Sequence, residues 1–187
     1  MSCAQCQIKS GAYVAYPSVC VSLFVARAWM GGWISNIIGA TAYENAAQMV
    51  IELKRHEDAA DLYKLASVTY IDGGNSDRAA QALISGAKAF TGVNPDKMIA
   101  LYLDAIELYE TEEREQFGLD AYSQTVAAMI RAKKFIEAGQ LLDRLAAVYR
   151  KLDRKPALYK VHLSKLVVLF AAGDSVGASN VLQQGQQ

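Results

Sequence analysis

The chain has 187 residues, of which 52% are hydrophobic and 20% charged, and its 19 basic and 19 acidic residues cancel. That composition excludes a disordered tail, and the zero net charge excludes a whole-chain electrostatic grip on nucleic acid. Thirty alanines against three prolines favour helix over sheet.

The first stretch differs from the rest. Residues 1–40 carry only Lys9 and Arg27 as charges, and they hold Cys3, Cys6, Cys20, Trp29, Trp33 and Pro17. Residues 1–38 read as an atypical apolar segment set before a helical-repeat domain over 39–187. The uncharged run at 11–26 is shorter than the about 20 residues a membrane span needs. With Lys9 ahead of it the run has the outline of a signal peptide. A foreign stretch, such as an alternative exon or a mistaken start, is the favoured reading, and a membrane tether over 11–38 the alternative. Cys3 and Cys6 form a CxxC, but a structural zinc needs four ligands and only Cys20 is near, so no metal or cofactor is expected. The absence of cysteine beyond position 20 fits a reducing, cytoplasmic compartment.

From residue 41 the apolar residues recur at helical spacing. Predicted helices cover 41–54, 56–72, 76–90, 95–111, 113–132, 135–152, 155–172 and 174–184. Asn94 is a natural N-cap with Pro95 at the first helical position, and Gly73-Gly74 and Gly173 are stop signals. Leu119, Tyr122, Val126 and Met129 make one apolar stripe, and Ala138, Leu141, Leu142, Leu145, Val148, Tyr149 and Leu152 another. Short connections predict antiparallel hairpins.

The second helices of these hairpins resemble one another. HEDAADLY at 56–63, PDKMIALY at 95–102, FIEAGQLL at 135–142 and SVGASNVL at 175–182 repeat every 39 or 40 residues. Each ends on Tyr or Leu, and Ala59, Ala60, Ala138, Gly139, Gly177 and Ala178 are small where neighbouring helices would approach. The expected fold is all-α, a right-handed α-solenoid of about four tetratricopeptide-like hairpins. Residues 155–172 are apolar nearly all round and call for cover on both sides. With no clean hairpin before 41 and a polar QQGQQ at the end, the chain reads as cut at both ends.

Charge is segregated. Residues 104–120 hold seven acids against Arg114, whereas residues 131–165 hold ten basic residues against three acids. Such a basic stretch on an extended surface can steer an acidic partner. No catalytic constellation is present: His56 lies at a turn and His162 within a helix, and no phosphate loop, HExxH or GxSxG occurs. The chain is therefore not expected to be an enzyme. Its tyrosines fall on apolar stripes and read as core.

VNPDK leading into IALY, EER following ELYE, and the KKF-IEA turn resemble the soluble NSF attachment proteins, most closely the gamma type, over about residues 37–184. The resemblance implies an adaptor in vesicle trafficking. It would bind the assembled SNARE four-helix bundle, including syntaxin-type proteins, and recruit the ATPase NSF, and it would be cytoplasmic and peripherally associated with membranes. It implies basic contacts to the bundle, for which Lys133, Lys134, Lys155 and Lys160 are the candidates. It also implies departures. Residues 1–36 do not match the family's N-terminal hairpins, and the C-terminal, NSF-stimulating part is missing. Basic groove positions of the alpha type fall on Asn75, Gln81, Asp120 and Gln124. The alternative is a generic repeat scaffold for another peptide or helical partner.

Overall fold

A computed structural model describes residues 32–184, with side chains from 36 to 182. The cysteines and the 11–26 run lie outside the described residues. The described chain is helical: α1 (Gly32–Glu52), α2 (His56–Asp72), α3 (Ser76–Ala89), α4 (Pro95–Thr111), α5 (Leu119–Arg131), α6 (Phe135–Lys151), α7 (Lys155–Ala172) and α8 (Ser175–Gln184), with a 3-10 turn at Glu115–Phe117. It divides into two compact units, one ending at Phe90 and the other beginning at Thr91.

Two predicted boundaries need correction. The first helix begins at Gly32 rather than 41, running through Gly39 without a break. The predicted helix 113–132 is interrupted: Glu113 is left-handed, a 3-10 turn follows, and α5 begins only after Gly118. Glycine is a poor helix former, and here it is needed for contact. A Cβ on Gly118 would lie 2.9 Å from Cδ2 of the buried Tyr109 ring.

In the first unit, α1 packs on α2 and α2 on α3. The interface is built from Ala46, Ala47, Ala59, Ala66, Ala79, Ala80 and Ala87, with Tyr63 and Tyr70 between them. Small side chains let the backbones close in. Gly86 marks the tightest approach, because a Cβ there would stand 3.0 Å from Tyr63 Cβ. The Tyr70 hydroxyl donates to Glu44 at 3.1 Å, and the Arg78 guanidinium lies 5.9 Å from its ring centre.

In the second unit, successive helices α4 to α8 pack in order. Tyr102, Ile106, Tyr122, Met129, Leu141, Leu142 and Leu145 form the core. Of the repeated terminal knobs, Tyr63, Tyr102 and Leu142 are buried, but Leu182 is exposed. Gly139 is not a contact glycine, since a Cβ there would meet nothing within 4 Å. Gly177 is tight only against Asp174, which caps α8 by accepting from the Gly177 N–H at 2.8 Å.

The hairpin turns share one backbone device. Leu53-Lys54-Arg55, Gly73-Gly74-Asn75, Ala132-Lys133-Lys134 and Leu152-Asp153-Arg154 each join two helices, and the middle residue has φ between 48° and 70°. In each, the third amide donates to a carbonyl five residues back, as from Asn75 to Tyr70 at 2.8 Å and from Lys134 to Met129 at 2.9 Å. This is the Schellman motif, which satisfies the last carbonyls of the preceding helix. Only one of the four uses glycine. A left-handed residue with a Cβ costs about 1–2 kcal/mol, and glycine returns about 0.4–1 kcal/mol of that through unfolded-state entropy. Lys54→Gly and Asp153→Gly should each stabilise the chain by about 0.5–1 kcal/mol, measurable as a higher urea midpoint at unchanged slope.

Candidate partner-binding surface

The four candidate lysines all lie in the second unit, but they do not form one cluster. Lys133 and Lys134 sit in the turn before α6, and Lys155 opens α7 after it. α6 has 17 residues, so these two groups are separated by about 25 Å at about 1.5 Å per residue. Lys160 lies a little over one turn into α7, on the Lys155 side.

Their states differ. Lys133 is the left-handed residue of its turn and is exposed. Lys134 is engaged, with Nζ 2.9 Å from Asp96 and 3.8 Å from Glu137. Its hydrogen bond with Asp96 holds its pKa above the usual lysine value. Lys155 and Lys160 are exposed and make no ion pair among the described residues.

The acidic stretch turns out to be the partner of two residues of the basic one, Arg144 and Lys151. Arg144 grips Glu110 with both ends of its guanidinium fork, Nε at 3.1 Å and Nη2 at 2.5 Å. Lys151 reaches Glu115 at 2.6 Å, and Lys165 pairs with Asp143. The fully buried Tyr122 ring adds its hydroxyl as a donor to Glu110. Burial works against charge on Glu110, but the bonds from Arg144 and Tyr122 prevail and hold its pKa below the ordinary carboxylate value. Burial, with Glu110 alongside, pushes the Tyr122 phenol well up. Four residues of the basic stretch, Lys134, Arg144, Lys151 and Lys165, are therefore neutralised within the fold. Arg131, Lys133, Arg150, Arg154, Lys155 and Lys160 remain exposed, with no ion pair among the described residues.

That remainder adds three arginines to the predicted set. Arg150 and Arg154 stand with Lys155 at one end of α6, and Arg131 with Lys133 at the other. Sequence spacing does not separate spent from free cations: Glu110 and Arg144 are 34 apart and pair, whereas Asp120 and Arg154 are also 34 apart and Arg154 stays unpaired among the described residues.

Two of the positions expected from the alpha type to lie in the groove have other work here. Asn75 Oδ1 accepts from the Arg78 N–H and caps α3, while Gln124 Oε1 accepts from the Tyr102 hydroxyl at 2.7 Å. Asp120 and Gln81 are exposed. Burial, helped by Arg150 and Lys165, lowers the pKa of His162. No helix among the described residues is long and apolar enough to cross a membrane.

The family model of soluble NSF attachment protein matches residues 35–187. The chain belongs to the soluble NSF attachment protein family. It is 31% identical over 147 residues to a gamma-soluble NSF attachment protein of Dictyostelium discoideum, covering 79% of this chain and 45% of that one. It is 33% identical over 131 residues to a gamma-soluble NSF attachment protein of Arabidopsis thaliana, covering 70% of this chain and 45% of that one. The chain thus spans a little under half the length of those curated relatives. Its fold is similar to that in the crystal structure of BtubC from P. vanneervenii, with a TM-score of 0.56 at 19% identity, over 90% of this chain and 69% of that one. The repeated helix hairpins are accordingly of the tetratricopeptide-like all-α class.

Proposed function

We propose that this chain is a non-enzymatic adaptor of vesicle trafficking that binds assembled SNARE bundles, working from the cytoplasmic side at membrane surfaces. In the whole protein, the bound bundle would be presented to NSF. The observation that carries the reading is the family match over residues 35–187, which includes both units' described helices almost entirely. The repeat domain is taken as 39–187.

The free cations support a particular mode of contact. Lys133 with Arg131 and Lys155 with Arg154 lie at the two ends of α6, about 25 Å apart by its about 1.5 Å rise per residue. A rod-like acidic helical bundle lying along α6 would reach both ends. Lys160 extends the second group. Lys134 contributes least, because Asp96 and Glu137 already hold its ammonium.

The test is binding of the 187-residue chain to a preassembled SNARE bundle at two salt concentrations, with NSF then added. Affinity should fall as salt rises. Lys133→Glu and the pair Lys155→Glu with Lys160→Glu should each weaken binding about tenfold, and Lys134→Glu less. Salt-independent binding, or equal indifference to all four reversals, would remove these lysines from the contact. Binding only to an unrelated acidic peptide would favour a generic repeat scaffold instead.

A further inference from the structure

A recess of about 320 Å³ lies between α6 and α8 in the second unit, and α7 contributes Leu169 to its lining. A glycine keeps it open. Gly139 is buried, yet a Cβ on it would meet nothing within 4 Å. One repeat earlier the equivalent residue is Ile99, whose side chain is buried. There α4 and α6 are also tied by ion pairs, Asp96 to Lys134 and Glu110 to Arg144. α8 has no charged residue with which to tie itself to α6.

Two side-chain amides line the recess, Gln140 from α6 and Asn180 from α8. They stand at the same place in successive repeats, and neither side chain makes a hydrogen bond among the described residues. Each offers donors and an acceptor, the pairing that a backbone peptide group requires. The lining face of α6 runs from Ile136 to Asp143, about 10 Å at about 1.5 Å per residue, which is the length of about three extended residues. Charge narrows the occupant. Asp143 is matched by the mostly covered Lys165, whereas Asp174 is exposed, has no ion pair among the described residues and gives one oxygen to the Gly177 N–H. The lining thus sets two acids against one base, opposite in sign to the lysine surface, so it suits a basic side chain and not an acidic bundle.

We propose that this recess binds an extended peptide segment, with its backbone on Gln140 and Asn180, a small apolar side chain over Gly139 and a basic side chain at Asp174.

The probes are acetyl-Ser-Ala-Val-Arg-Val-Ala-Ser-amide and its counterpart with glutamate for arginine, titrated into the isotope-labelled 187-residue chain and followed by nuclear magnetic resonance. The arginine probe should shift the side-chain amide signals of Gln140 and Asn180 and the backbone signals of Gly139 and Gly177, with a Kd of about 0.1–1 mM. The glutamate probe should bind about tenfold more weakly. Gly139→Leu fills the recess with a good helix former, so it should keep the far-ultraviolet dichroism and weaken the arginine probe about tenfold. Gln140→Ala with Asn180→Ala, both at exposed positions, should weaken it about fivefold. Asp174→Asn keeps a capping oxygen for α8 and should bring the two probes to equal affinity. No shift at these signals up to about 5 mM probe would overturn the proposal, as would binding that survives both Gly139→Leu and the double alanine variant. Equal binding of the two probes by the parent chain would overturn the basic preference. Arginine amide alone binding as tightly as the peptide would overturn the extended segment, in favour of a site for a single cation.

Discussion

Tyr122→Ala is expected to destabilise the second unit by about 4 kcal/mol or more. Its ring is fully buried, so truncation opens a cavity among α4, α5 and α6. Its hydroxyl is also one of the donors that keep Glu110 ionised beneath the Arg144 fork. Tyr122→Phe separates the two effects: it keeps the volume and should cost only about 1 kcal/mol. It should also change the acid limb of stability. The depressed pKa of Glu110 means that its contribution is present above the unfolded carboxylate value and is lost as pH falls through the folded one. Without the phenol, the folded-state pKa of Glu110 lies nearer its unfolded value, so the loss on acidification should be smaller and complete at a higher pH. Hydrogen exchange resolved over residues 91–182, at neutral pH and near pH 4, reads both effects in the unit concerned. Equal protection in Tyr122→Ala and the parent would remove Tyr122 from the core.

The second large effect concerns the first unit. Gly86→Val should cost about 3 kcal/mol, since the new Cβ would lie 3.0 Å from Tyr63 Cβ, and two methyl groups follow it. Tyr63 cannot yield easily, being buried against the alanine-lined helices on both sides. Valine's better helix propensity returns only a few tenths of a kcal/mol. Gly139→Ala is the natural control. With open space around its Cβ, it should stabilise α6 by about 1 kcal/mol through helix propensity alone. Thermal unfolding of the two variants should shift in opposite directions, and a loss in both would mean that helix contacts at Gly139 are tighter than its surroundings indicate.

The helices were legible because their signals are local. Asn94 caps α4 by accepting from two amides, and Gly173 ends α7 in the left-handed conformation, both as the residue types dictate. Helices 56–72, 95–111 and 155–172 have the predicted ends. The break before α5 was hidden because it depends on Tyr109 lying against Gly118, nine residues away in sequence but in contact in space. The left-handed Lys54, Glu113, Lys133 and Asp153 carry no composition signal, since the Schellman hydrogen bonds impose a conformation their side chains do not favour. The basic stretch was visible, but not its neutralisation. Glu110 and Glu115 reach across to Arg144 and Lys151 only once the helices are stacked, so charge counted along the chain overstates the charge offered to a partner.

The identical turns also bear on where chain length can vary among relatives. Each three-residue connection carries a fixed sequence of backbone angles and a fixed hydrogen-bond ladder, so one residue added or removed rotates the next helix by about 100° and carries its buried face to solvent. Gaps in an alignment of this family should therefore avoid 53–55, 73–75, 132–134 and 152–154. They should gather instead at the irregular connections 90–94 and 112–118, where no such ladder spans the whole link between the helices.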